Sequence, residues 1–315
     1  MIHDLENVRR LGNKLRGNLG KCAVDPDVDP VHDTRTGTRR LQATLEDLVR
    51  GIPEGDDPVR AAAIATMKLL KKIRREAGPV RDLDVHRKLL EKLTRRAVGD
   101  DGDMLETPVT GLRPTPVEQQ ADDLDAWLNH RRSELADGLK ADATEFAEKL
   151  DKRQEELEAA LTARRVRRTR KKPAGVVALD SFARLASEMQ VLDAGNLHDF
   201  RKGAKKARYV AELAAQGDEH AQQVGETLKK LQDEIGDWHD WLVLADEAHA
   251  ALGGQATELT ALVEGERERH FVAAMKMAAK LRGRLMGEWL AVSGRPTATS
   301  GVRKRVVGLS GNAAP

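Results

Sequence analysis

Two segments far apart in the chain, DPVHDTRTGTRRL at residues 29–41 and NLHDFRKGAKKARY at residues 196–209, are versions of one pattern. A chain that carries one local pattern twice is constrained to build the same local structure twice. Both versions read as helices. Asp29 followed by Pro30 offers an N-cap and then a proline at the first helical position, where its missing N–H costs nothing, and Asn196 caps the second copy. At helical spacing His32, Arg35 and Arg39 fall on one stripe and His198, Arg201, Lys205 and Arg208 on its counterpart, each covering roughly 15 Å of helix. Arg40, Lys202 and Lys206 widen the stripes. Gly37 and Gly203 hold equivalent interior positions where glycine costs about 1 kcal/mol against alanine, so an approachable backbone is wanted there, by a neighbouring helix or by a bound anion.

The duplication extends beyond these helices. KKIRREAGPVRDLDV at residues 71–85 aligns with KKLQDEIGDWHDWLV at residues 229–243, in the same order relative to the first pair. Two motifs, each present twice, resemble the CHAD domain, the conserved histidine α-helical domain, and the resemblance runs from the first helix to about residue 290. It implies an all-α, internally duplicated pair of antiparallel helical bundles with pseudo-twofold symmetry, binding inorganic polyphosphate in a basic central channel without catalysis. The chain departs from the pattern where His239 and Leu242 stand in for Arg81 and Asp84, so the halves are not expected to contribute equally.

Composition fits this reading. Strand formers are scarce, aromatics make up 3 % of the chain and hydrophobic residues 40 %, enough for a sizeable all-helical core. The net charge is only +2 although a third of the residues are charged, so any basicity is local. The single cysteine, Cys22, excludes an internal disulfide framework and suits a reducing cytosol. The first residues are too charged for a signal peptide, and no apolar run approaches the ~20 residues of a membrane span. A soluble, cytoplasmic protein is expected, without a membrane partner, and the resemblance adds an association with polyphosphate granules.

Periodicity predicts helices at residues 2–19, 30–50, 58–77 and 80–98, the third ending before Gly78-Pro79, and these form the first repeat, 1–98. Residues 99–116, rich in Gly, Pro and acidic side chains, read as a linker. A long helical extension, 117–172, is expected to project beyond the core, with a break near Gly138 and a basic end, RRVRRTRKK. The second repeat, 173–292, reads as helices at 176–194, 197–216, 218–235, 237–251 and 257–292. The tail, 293–315, has the composition of a disordered segment.

Lys68, Lys71, Lys72 and Arg75 make a further positive stripe on the third helix, with Lys229 and Lys230 at the repeat-equivalent place. A basic stripe is ordinarily a solvated face. Coincidence with repeat positions argues otherwise, because matched stripes facing each other form a wall of like charge that calls for a counter-anion. The candidate polyphosphate-binding residues are thus His32, Arg35, Arg39, Arg40, Lys68, Lys71, Lys72, Arg75, His198, Arg201, Lys202, Lys205, Lys206, Arg208, Lys229 and Lys230. A first-turn histidine sits where free N–H groups favour anions, although a packing or capping role is the ordinary alternative.

Two other classes compete. Nucleic acid is the weaker polyanion partner: the basic run at 164–172 favours it, but Phe200 and Tyr209 are the lone aromatics of the signature helices, so stacking platforms are missing. His-Asp pairs at His3-Asp4, His32-Asp33, His198-Asp199 and His239-Asp240 suggest a metal-dependent phosphohydrolase of the HD type, yet cations surround each pair and would repel a divalent ion. Asp33 and Asp199 read better as partners of nearby Lys or Arg, Arg81, Asp82 and Asp84 as a helix-packing ion-pair set, and Trp238 and Trp241 as core. No Gly-rich phosphate loop, nucleophile elbow, CxxC pair or HExxH motif is present. No catalytic residue, metal or cofactor is expected.

Overall fold

Apolar residues spaced three and four apart become helix after helix in the computed structural model, which describes residues 2–52, 55, 57–98, 115–163, 174–212, 218–254 and 257–293. Among the described residues the regular elements are α1 (Ile2–Val24), α2 (Val28–Arg50), α3 (Pro58–Val98), α4 (Pro116–Ala163), α5 (Ala174–Glu188), α6 (Leu197–Glu212), α7 (Glu219–Ala251) and α8 (Glu258–Ser293). Helices α1 to α4 close one bundle, α1 packing on α2 and α4 and α3 on α2 and α4. Helices α5 to α8 close another in the same order, and α2 meets α6, and α3 meets α7, where the bundles join.

The spacing of core residues decides where the signature cations point. In α2 the buried positions include Val31, Thr34, Thr38, Leu41 and Leu45; in α6 they include Leu197, Phe200, Ala204, Ala207 and Ala211. Each set steps by three and four and anchors one helix face. Arg35, Arg39, Arg201, Lys205 and Arg208 each follow a buried residue by one, so they emerge at the edge of the core and are half-buried. Phe200 locks α6 in place, edge-to-face with Phe182 at 5.9 Å, and cutting it to alanine costs roughly 3–5 kcal/mol.

Several expected boundaries change. The third and fourth expected helices are one, α3, and Pro79 lies inside it. Pro79 is exposed, so the carbonyl it leaves unpaired faces water, while Ile73 and Ala77 before it and Val80 and Leu83 after it are buried. Burial on both sides offsets a proline penalty of about 3 kcal/mol. Helix α7 likewise runs unbroken through Gly236 and Asp237. The reason is shared: Leu83, Leu90 and Leu93 of α3 and Trp241, Leu244 and Ala245 of α7 belong to one core with the first half of α4 and the start of α8. Trp238 and Trp241 are both 2 % exposed, core residues as expected.

Helix α4 does not break at Gly138 and does not project. It lies along α1 and α3, and its buried residues continue from Ala121 to Leu161. Thr115 and Glu118 cap it reciprocally, at 2.6 and 3.2 Å, with Pro116 opening the helix. Other caps differ from expectation. Asp27, not Asp29, caps α2, which moves Pro30 into the first turn, where an N–H has no intrahelical partner anyway. The Asn196 side chain turns back to accept from the Asp193 N–H at 3.0 Å rather than capping α6. Helix α5 stops at Glu188 instead of residue 194. The body of the expected linker, the basic end at 164–172, residues 213–217 and the tail after Ser293 lie outside the described residues. Among the described residues no helix is long and apolar enough to cross a membrane.

Candidate functional site

Where α2 and α6 meet, the two signature stripes face each other. The guanidinium of Arg39 is held down to about 10 by burial, then by Arg35, with Tyr209 working the other way and Arg201 and Arg74 adding to the depression. The Lys205 ammonium falls further, to about 6, through burial first and then the charges of Arg39, Arg201, Arg35 and Arg208. Arg74, from α3, is lowered too, chiefly by burial. Six cations from α2, α3 and α6, Arg35, Arg39, Arg74, Arg201, Lys205 and Arg208, thus stand at close range.

Few of these charges are neutralised. Arg35 pairs with Asp82 of α3, and Arg208 with Glu212 of its own helix at 3.2 Å. Arg74 donates to the Gln42 side chain and, at 3.4 Å, to the Thr38 carbonyl. Arg201 donates to the Gln232 carbonyl at 3.2 Å. Among the described residues Arg39, Arg74, Arg201 and Lys205 have no carboxylate in ion-pair contact. That leaves an uncompensated positive field in a partly desolvated site, which a bound anion would relieve.

Two glycines of the motif serve helix packing. A Cβ on Gly37 would meet Leu15 of α1 at 3.3 Å, and one on Gly203 would meet Leu185 of α5 at 2.5 Å. Gly236 has a different task. A Cβ there would lie 2.7 Å from Nη2 of Arg201, so this position gives the guanidinium its seat on α7.

Beside the cations lies a histidine and carboxylate group. The rings of His198 and His239 are 4.0 Å apart between centroids, and the Nδ1 atom of each is buried without a hydrogen bond. Burial, then His198 and Arg201, push His239 down to about 4; burial, then Lys202 and Arg201, lower His198. Asp240 is raised, mainly by burial, against the pull of His86 and Arg201. His86 of α3 reaches Glu247 of α7 at 2.7 Å. Neither atom has hydrogen-bonding geometry, so that contact is a close approach across the junction rather than a directed bond.

The candidates of the sequence analysis therefore separate. Arg35, Arg39, Arg201, Lys205 and Arg208 come together, with His198 at their margin. His32 is exposed, as are Arg40, Lys206 and Lys202, the last paired with Asp199 at 2.9 Å. Lys68 and Lys72 turn toward α4, while Lys71 and Arg75 stand on the outer face of α3, Arg75 beside Glu76 at 3.1 Å. Lys229 is exposed and paired with Asp233 at 3.2 Å, and Lys230 is exposed. The RDLD segment divides: Asp84, 3 % exposed, binds Arg132 of α4 at 2.6 Å, whereas Asp82 serves the site through Arg35. Arg74, Asp82, Tyr209 and His239 are the members that the stripes missed. Arg74 lies three residues beyond Lys71, so counting from Lys71 toward the α2 face would have found it. Its repeat counterpart, Gln232, carries no charge to mark the place.

Among the described residues no group of three or more His, Cys, Asp or Glu is placed to hold a metal ion, which leaves the phosphohydrolase alternative without a ligand set there. The family model of the CHAD domain matches residues 8–249. Among solved structures the fold is similar to that of the CHAD domain from the plant Ricinus communis, with a TM-score of 0.54 and 18 % identity, covering 93 % of this chain and 91 % of that one. No curated protein matches the sequence.

Proposed function

The chain belongs to the CHAD domain family, and from that premise we propose that it binds inorganic polyphosphate, without catalysis, in a basic channel between its two helical halves. The observation that carries the proposal is the meeting of α2 and α6, which brings the half-buried cations Arg39 and Lys205 together from opposite halves with no carboxylate in ion-pair contact with either among the described residues. Condensed phosphate suits such a site because each unit carries charge and acceptor oxygens at a regular interval. Each charge-assisted contact from Lys or Arg is worth roughly 1.5–3 kcal/mol, and contacts along one chain add through effective concentration. A single orthophosphate reaches few cations and competes poorly. Recruitment of the protein to polyphosphate stores in the cytoplasm is the role this binding would serve.

Titration calorimetry with medium-length polyphosphate against length-matched single-stranded DNA tests the reading. The expected result is tight polyphosphate binding that weakens linearly with log salt, with DNA much weaker. Replacing Arg35, Arg39, Arg201 and Lys205 together by alanine should abolish binding and leave helicity intact. Equal affinity for orthophosphate would sink the channel, and equal affinity for DNA would turn the reading to nucleic acid.

A further inference from the structure

A second cationic surface lies on the far side of α3. Between α3 and α4 there is a groove of about 570 Å³ whose floor includes Leu69 and Phe146. Its walls carry Lys68 and Lys72 from α3 and Lys149, Lys152 and Arg153 from α4, and no carboxylate lines it. Lys149 pairs with Glu145 and Arg153 with Glu156, the latter at 2.6 Å, both on the surface of α4 itself. Such exposed same-helix pairs contribute little and exchange partners readily. Lys68, Lys72 and Lys152 have no ion pair among the described residues.

We propose that this groove is a second polyphosphate subsite, and that one chain can pass to it from the junction of the halves around the outer face of α3. The route is written in helical geometry. Arg74 faces α2, Lys72 faces α4, and Lys71 and Arg75 occupy the exposed arc between them, all within about one turn. The apolar floor offers no hydrogen bonds, so a ligand is held by charge along the walls, which suits a flexible linear polyanion better than a small molecule with polar edges. Facing lysines from two packed helices repel one another in the empty groove, and a bound phosphate chain converts that repulsion into attraction. Nothing in the signature motif marks Lys149, Lys152 or Arg153, because the groove depends on α4 lying along α3.

The extension of the path rests on the polyphosphate reading of the junction; the groove itself does not, and the experiment separates them. The full chain is titrated calorimetrically with tripolyphosphate, a probe short enough to occupy one subsite, in three forms: unmodified, with Lys149→Gln, Lys152→Gln and Arg153→Gln, and with Arg39→Gln and Lys205→Gln. The expected result is two sites in the first form and one in each of the others, with helicity unchanged. The groove variant should also lose about tenfold in affinity for long polyphosphate, the loss of at least one charge-assisted contact. One site that the groove variant keeps and the junction variant loses overturns the groove and leaves the proposed function standing. One site lost in the groove variant and kept in the junction variant does the reverse, and any site count that the groove variant leaves unchanged also overturns the groove.

Discussion

Arg35 and Arg201 hold the same place in the two copies of the signature helix, yet they are kept differently. Arg35 reaches a carboxylate, Asp82 of α3, whereas Arg201 lies over Gly236 of α7 and donates to a backbone carbonyl. The histidines part in the same sense: His32 is exposed, and His198 lies against the tilted ring of His239. So do Arg39 and Lys205, since the guanidinium is depressed only to about 10 and the ammonium to about 6. At these matched places the first half pairs Arg35 with a carboxylate, whereas Arg201 and Lys205 of the second half have none in ion-pair contact among the described residues. Repeated motifs specify where a cation stands; the neighbouring helix decides whether it is free to meet a ligand.

The sharpest way to break this comparison is to alter Lys205. Its folded pKa lies near 6, against an ordinary value of 10.5. Between those values the unfolded chain binds a proton that the folded chain does not, so stability rises with pH across that window. Lys205→Met should flatten the rise and, at neutral pH without ligand, raise the melting temperature by about 2–4 °C for each kcal/mol of relieved burial cost. A bound polyanion returns Lys205 toward its ordinary value. Polyphosphate affinity should therefore fall as pH rises above about 6 and be accompanied by proton uptake near pH 7, measurable in buffers of different ionisation enthalpy. Lys205→Met should lose about ten- to a hundredfold in affinity at low pH and lose the proton uptake. Arg39→Met should weaken binding and, because the Arg39 charge helps hold Lys205 down, move the onset of the fall in affinity to higher pH, with proton uptake retained.

Next in size is the glycine pair. Gly236→Ala pushes its Cβ into the seat of Arg201, and the flexible guanidinium can move away, so the fold should survive while affinity drops about tenfold, one charge-assisted contact. Gly78→Ala, at the matching place in α3, meets nothing within 4 Å and should leave binding unchanged. Its stability should change little, a helix-propensity gain of about 1 kcal/mol being opposed by the clash of a Cβ with the following Pro79. Equal losses from the two variants would erase the asymmetry. Asp82→Asn should act in the opposite direction, freeing Arg35 and tightening binding by at most about fivefold, the scale of a half-exposed ion pair.

Sequence reasoning reached the helices and the cations that follow buried positions by one residue, because both are set by local periodicity. It placed Arg35, Arg39, Arg201, Lys205 and Arg208 on stripes from spacing alone. It failed where tertiary packing overrides local punctuation. Gly78-Pro79 reads as a stop, but α3 continues because Leu83, Leu90 and Leu93 have a second core to enter. It also failed where a partner comes from another helix. The difference between His32 and His198 depends on what α7 presents, and the turn of Lys68 and Lys72 toward α4 depends on how a long helix, expected to project, folds back along the bundle.

The smallest expected effect falls on the histidines, and it tests the comparison most finely. His198 is depressed by burial, then Lys202 and Arg201, and His239 by burial, then His198 and Arg201, so a polyanion that screens Arg201 and Lys202 should raise both. The ring of His32, exposed and outside the cluster, should keep its resonance positions at fixed pH when polyphosphate binds. Following the ring protons by NMR through a pH titration, with and without polyphosphate, reads each histidine separately, and the His239 midpoint should climb from near 4 on binding. The affinity cost of His198→Ala should be about twofold, because a neutral imidazole at the margin gives less than one full hydrogen bond to phosphate. A change at the His32 ring as large as that at His198 would mean that the ligand reaches both copies alike, and that the unpaired cations Arg201 and Lys205 do not direct it.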